Sequence, residues 1–160
     1  MADLIRTMQA SDVNAARLAY AYVTIDSNRY LLMMAKNVKT TIKKNKKSVP
    51  ILGQTGVGHK SSGWEGTGSM TIYSVTSMFS KLMEKYKNSG QDVYFDMQIV
   101  NQDVTSSSGK QTVILKDCNI DQAVLASCDA DGEWLEQDID FTFEDFEIPE
   151  TYTELDGVSV

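Results

Sequence analysis

Between residues 135 and 144, Leu135, Ile139, Phe141 and Phe143 alternate with Glu136, Asp138, Asp140, Thr142 and Glu144. Successive side chains of a strand point to opposite faces, so this period of two demands a β-strand with one face in a core and an acidic face in water. Such a strand needs partners, and the remaining sequence offers them. Residues 20–25 and 30–34 are aromatic, β-branched or apolar runs around Asp26-Ser27-Asn28-Arg29, which predicts a hairpin. Val38, Thr40 and Ile42 alternate with Lys39, Thr41 and Lys43, extending the second strand with a basic, wet face until Pro50 ends regular pairing. Residues 68–73 predict another strand, residues 93–100 and 111–117 a second hairpin around the Ser-rich turn 105–109, and residues 120–127 a further strand. Thr76 or Ser77 is placed to cap a helix with Phe79, Leu82, Met83 and Tyr86 on one stripe, stopped by Gly90. The expectation is mainly β (α+β), one helix flanking a largely antiparallel sheet system.

At 160 residues with 42% hydrophobic content, the chain is read as one domain able to bury about 70% of its unfolded surface. The N-terminus has neither the apolar core of a signal peptide nor the ~20 residues of a membrane span, so synthesis in the cytosol and no membrane anchor are expected. Cys118 and Cys128 are then expected as small buried or half-buried thiols. With His59 as the sole histidine, no zinc-type ligand set can be assembled, and no metal or cofactor is expected. The net charge of -7 is unevenly spread: residues 36–60 hold seven lysines and no acid, while residues 117–160 hold fourteen acids and no Lys or Arg. Each run alone is an ordinary solvated surface. Together they also suit head-to-tail self-association, in which unlike charges select partner and orientation.

The polar, Gly-punctuated segment 53–66 reads as a long loop with little besides Trp64 to pack, and loops of that length are normally functional or disordered. It approaches the phosphate-cradling pattern, which needs Gly, Lys and Ser contiguous. His59 separates Gly58 from Lys60, and the following segment predicts a strand, so no helix N-terminus is offered to an anion. Nucleophilic catalysis fares no better, because His59 lies in the same loop and no nucleophile-elbow turn exists. Glu136, Asp138 and Asp140 could serve a hydrolase, yet on the wet face of a strand solvated acids are the default. Trp134, beside the cleanest strand, is expected in the core, whereas Trp64 suggests a partner surface. The lysine run lacks interleaved aromatics and sits in an acidic chain, which disfavours nucleic-acid binding there.

Gly58-His59-Lys60, Gly63, Gly66-Thr67-Gly68, Thr71-Ile72-Tyr73, Val75-Thr76-Ser77 with Phe79, and the terminal residues 141–146 (FTFEDF) with Pro149-Glu150 resemble the tail tube proteins of contractile-tailed phages of the PBSX-like prophage type. The resemblance runs in order from about residue 16 to residue 150, leaving residues 1–15 as an N-terminal arm and 16–160 as the tube domain. It implies a β-barrel or sandwich with one flanking helix, assembled into hexameric rings that stack into a tube inside a sheath, with residues 45–66 as the long loop reaching the neighbouring ring. Lys43, Lys44, Lys46, Lys47, Gly58, His59, Lys60, Gly63, Trp64 and Gly66 are the implied contacts between subunits and rings. The implied partners are further copies of the chain, the sheath, baseplate and tape measure proteins, and DNA passing without sequence-specific binding. The implied location is the virion tail.

A channel for DNA must not hold it, because every lysine neutralising a phosphate adds affinity. Glu136, Asp138 and Asp140 are therefore candidates to face either the lumen or the sheath, with Lys39, Thr41 and Lys43 as the rival lumen face. Two other readings stand beside this one: the inner tube of a bacteriocin or secretion machine, and a carbohydrate-binding β-sandwich using Trp64 and nearby acids. An enzyme ranks last, for want of a convergent set of groups.

Overall fold

The computed structural model describes residues 7–154, so residues 1–6 of the expected arm and the last six of the expected tube domain lie outside the described residues. Among them are β1 (Ala19–Ile25), β2 (Asn28–Leu31), β3 (Ala35–Pro50), β4 (Val57–Tyr73), α1 (Met78–Ser89), β5 (Phe95–Gln102), β6 (Lys110–Ala123), β7 (Glu136–Phe143) and β8 (Asp145–Glu150). The mainly β, antiparallel architecture with a single helix matches the sequence expectation, and the path of paired strands is open, ending at β2 and β3. The chain gathers into two compact units: one of residues up to Met33, Phe95–Lys116 and Phe146 onward, the other of Met34–Tyr94 and Asp117–Asp145.

In the first unit the order is β2-β1-β5-β6, with β8 also on β6. Asp26 and Ser27 both have positive φ (49° and 67°), the geometry of a tight two-residue turn that follows the twist of the flanking strands. Val23 lies opposite Met97, and with Ile25, Phe95, Val100 and Leu115 they form the core. Residues 9–15 are pinned to the β5–β6 turn. The Asp103 carboxylate accepts bonds from the Ala15 N–H (2.9 Å), the Thr105 N–H (2.9 Å) and the Thr105 hydroxyl (2.5 Å). The Asp12 carbonyl accepts from the Ser108 hydroxyl at 3.1 Å, and Ser107 N–H donates to the Ser11 carbonyl at 3.1 Å.

In the second unit the order is β6-β7-β4-β3. The strands expected at 111–117 and 120–127 are one strand, β6, which crosses Asp117 at φ 53°. Likewise the alternation from Val38 does not prolong the first hairpin: the chain leaves β2 at Leu31 and opens a separate strand, β3, at Ala35. On β7 the buried side chains are Gln137, Ile139, Phe141 and Phe143, while Leu135 is half exposed and Trp134 is 67% exposed, contrary to their expected place in the core. Both precede the strand, where no partner surface covers them. Cys118 is buried, but Cys128, expected at least half buried, is exposed in the loop after β6; neither is in a disulfide. Gly90, at φ 72°, closes α1 with its N–H on the Tyr86 carbonyl (2.7 Å), and Thr76 rather than Ser77 offers its hydroxyl to the helix, accepting from Met78 N–H at 3.3 Å.

The register of β4 on β7 sets Gly66 against Phe143 and Gly68 against Phe141. A Cβ at Gly66 would stand 2.3 Å from the Phe143 ring, and one at Gly68 2.3 Å from the Phe141 ring. The aromatic rings therefore lie over bare glycine backbone, covering strand positions that would otherwise have nothing to pack.

Gly68→Ala forces the Phe141 ring aside and should destabilise the chain by about 1–3 kcal/mol in urea unfolding, whereas Gly56→Ala, with nothing within 4 Å of its Cβ, should stay within about 0.5 kcal/mol. Bonds from the Thr105 hydroxyl, then the Ala15 and Thr105 N–H groups, hold the Asp103 carboxyl below the usual carboxylate range. A folded pKa below the unfolded one gives stability that is present above about pH 4 and lost as pH falls through the folded value. Asp103→Asn should accordingly lower the melting temperature at pH 7 and flatten its decline below about pH 4, as read by thermal melts across pH.

Candidate functional site

The segment expected to be a loop over residues 45–66 is instead the greater part of a long β-hairpin. β3 and β4 stay paired from Ala35 opposite Ile72 to Pro50 opposite Val57, leaving only residues 51–56 as the turn. The sequence concealed this because Gly and Ser are poor strand formers, so pairing here rests on backbone hydrogen bonds. A bulge where Asn45 and Lys46 face Gly63 and Ser61 breaks the alternation as well. There Gly63 takes φ 146°, and the Ser62 hydroxyl donates to the Asn45 carbonyl at 3.1 Å.

Pairing of β4 with β7 ends at Gly66 opposite Phe143. Beyond that point the hairpin continues as a two-stranded ribbon whose residues are almost all exposed. It carries nine of the ten residues implied as assembly contacts: Lys43, Lys44, Lys46, Lys47, Gly58, His59, Lys60, Gly63 and Trp64. Gly66 is the exception, since it is buried under Phe143. Trp64 stands at the root of the ribbon, its ring 6.3 Å from that of Phe143. Lys47 lies directly opposite Lys60, a destabilising like-charge pair. Among the described residues the five lysines of the ribbon make no ion pair. Gly58, His59 and Lys60 sit in extended backbone, so their N–H groups alternate in direction rather than converging as a phosphate cradle requires.

Sequence reasoning missed the tip. Val49, Ile51, Leu52 and Val57 are all exposed apolar side chains, with Leu52 wholly so. The signal was the run Val49-Pro50-Ile51-Leu52, apolar residues set between lysines and a glycine with no core to serve.

The two rival lumen faces are one face. Register places Lys39 beside Ser69 and Ser69 beside Asp140, while Thr41, Thr67 and Thr142 form the next row and Lys43 faces Glu65. Asp138 accepts from the Thr71 hydroxyl at 2.8 Å, and Lys36 pairs with Glu136 at 2.9 Å, an interaction that raises the Lys36 pKa through the hydrogen bond and then the carboxylate charge. The segregation of basic and acidic runs in sequence therefore does not persist across this sheet, where β3 and β7 flank β4 and interleave their charges. It survives past the end of β7, in the ribbon, and in the loop bearing Asp129, Asp131 and Glu133.

Among the described residues no group of His, Cys, Asp and Glu could hold a metal ion, and no helix is long and apolar enough to cross a membrane. Open-edged strands and a projecting ribbon with a net basic charge are features of a protein that presents contact surfaces. A family model described as phage tail tube protein matches residues 6–150. The phage-like element PBSX protein XkdM of Bacillus subtilis (strain 168) is 46% identical over 115 residues, covering 72% of this chain and 78% of the relative. A chain of the anti-feeding prophage baseplate superposes with a TM-score of 0.64 at 9% identity, covering 90% of this chain and 97% of that one. The SPP1 tail tube does so with a TM-score of 0.60 at 12% identity, covering 91% and 83%. The chain belongs to the phage tail tube protein family.

In the unassembled chain, amides of the outer ribbon, residues 44–61, should exchange with solvent far faster than those of residues 66–72, which β7 supports on the other side. Hydrogen-exchange mass spectrometry checks this.

Proposed function

We propose that this chain is the tube subunit of a contractile phage tail or phage-like particle, with residues 16–160 forming one tube domain. Six copies close a ring, rings stack into a tube, and the ribbon of β3 and β4 bridges each ring to the next. The observation that carries this reading is the ribbon itself. A two-stranded hairpin carrying like charges opposite each other is marginal in water alone, and a second chain is what gives it a surface to cover. Open ends at β2 and β3 fit the same logic, since exposed edges are removed when strands of neighbouring copies pair around a closed ring.

The mixed face of Lys39, Thr41, Thr67, Thr142, Asp138 and Asp140 is proposed to line the lumen. Its Lys39 lies among acids and hydroxyls, so phosphates gain little there and the duplex slides. The reading assigns no catalytic role and no cofactor. The sheath, baseplate and tape measure proteins are the proposed partners and the virion tail the proposed location, following synthesis in the host cytoplasm. The same architecture would serve the inner tube of a bacteriocin or secretion machine, which carries no genome.

Negative-stain microscopy beside light scattering, over a concentration series, tests the proposal: rings and tubes are expected, and a strictly monomeric protein at high concentration would sink it. Replacing residues 46–61 by a two-residue turn should leave unfolding stability within about 1 kcal/mol of the parent chain while abolishing tubes.

A further inference from the structure

The ribbon tip and a second exposed apolar site lie at opposite ends of one strand. β4 runs from Val57, at the tip, through 17 residues to Tyr73, at most about 58 Å of extended chain. Just past Tyr73, Ser74 and Val75 form a wall of a concavity of about 340 Å³, completed by the first turn of α1, the stretch after β6, and Leu135. Its walls are fixed: Gln137 Nε2 donates to Ser80 Oγ at 3.1 Å and to the Val124 carbonyl at 2.7 Å, and Ser74 N–H donates to the Leu135 carbonyl at 3.0 Å. Ser74, Thr76, Ser77, Ser80 and Ser127 give much of its lining a hydroxyl character, while Val75 and Leu125, 75% and 74% exposed, add apolar side chains open to solvent. Exposed Asp129, Asp131 and Glu133 follow in the loop that leads back to Leu135.

The tip has the opposite charge, and its apolar side chains match only Val75, Leu125 and Leu135 of the concavity. Its Val49, Ile51, Leu52 and Val57 are flanked by Lys46, Lys47 and Lys60, with no acid between residues 36 and 60. A molecule cannot seat its tip in its own concavity, because β3 and β4 remain paired along the whole hairpin and hold the two ends apart. We propose that the concavity receives the apolar tip of a second copy of this chain, with Lys46, Lys47 and Lys60 meeting the acids of its loop. Each copy then donates at one end of β4 and accepts at the other. Such a heterologous contact propagates along an axis rather than closing on a pair. The acids relieve the Lys47–Lys60 repulsion that the ribbon bears alone, and they exclude the reversed orientation. This rests on the reading that the ribbon links copies, and it names the acceptor, for which that reading gives none.

The test uses the full chain with Leu52→Asp and Leu125→Asp made separately, both at exposed positions, with folding checked by circular dichroism. Each should cut the polymerised fraction about tenfold or more, as loss of an anchor contact does, while rings persist. Separately, Leu52→Cys tubes treated with a short thiol cross-linker should give a ladder of multimers through the native Cys128, and adding Cys128→Ser should reduce it to dimers at most. Wild-type tubes together with undiminished polymerisation of Leu125→Asp, or with no ladder from Leu52→Cys, would overturn the docking while leaving the tube reading intact. Absence of rings and tubes from the wild-type chain would overturn both.

Discussion

The face-to-backbone packing of Phe141 and Phe143 on Gly68 and Gly66 fixes the structure of the second unit, because it locks the register of β7 on β4. In a sheet a slip of one residue moves every side chain to the other face. Here a slip would drive a ring into a side chain and put Asp138 and Asp140 into the core beside Met70 and Ile72. Once the register is fixed, so is the composition of both faces. Met70, Ile72, Ile139 and the two rings are inside; Lys39, Thr41, Thr67, Ser69, Asp138 and Asp140 are outside.

The same contact fixes where the ribbon begins. β7 gives out at Phe143, opposite Gly66, and from there β4 keeps only β3 for company. Trp64, one step further on the same face, leans on Phe143 and closes the core at that edge. What continues is a ribbon with no apolar face to bury until Val49, Ile51, Leu52 and Val57 at its tip. Its construction matches a segment whose stabilising contacts come from outside the chain: Gly and Ser spacing, a bulge and a facing lysine pair all weaken it alone, and each is tolerable once a second surface supplies charge and cover.

Much of this was legible. The alternation of 135–144 gave β7, the turn chemistry of Asp26-Ser27 gave the β1–β2 hairpin, and Gly90 gave the end of α1, because each is a local rule with a local cause. The ribbon was not, since its strand character comes from cross-strand hydrogen bonds between residues that prefer turns. The place of Trp134 was also out of reach: its sequence neighbours are those of a core residue, and only the start of β7 at Glu136 leaves it outside. The residues implied as contacts come from likeness to a family, whereas the apolar tip between them, Val49-Pro50-Ile51-Leu52, reads in sequence as the end of a strand.

The distribution of charge carries the argument from sheet to assembly. Had the lysines of residues 36–60 and the acids of residues 117–160 formed two separate patches, either could have lined a channel and the other faced outward, with DNA held or repelled accordingly. Pairing through β4 removes that choice: Lys36 is matched to Glu136 and Lys39 lies near Asp140, leaving a face of nearly balanced, hydroxyl-rich character. Beyond the sheet, the ribbon is basic and the 129–133 loop acidic. Surplus charge of opposite sign at the two ends of one strand suits a polymer of identical subunits, since each junction then favours the unlike end of the next copy.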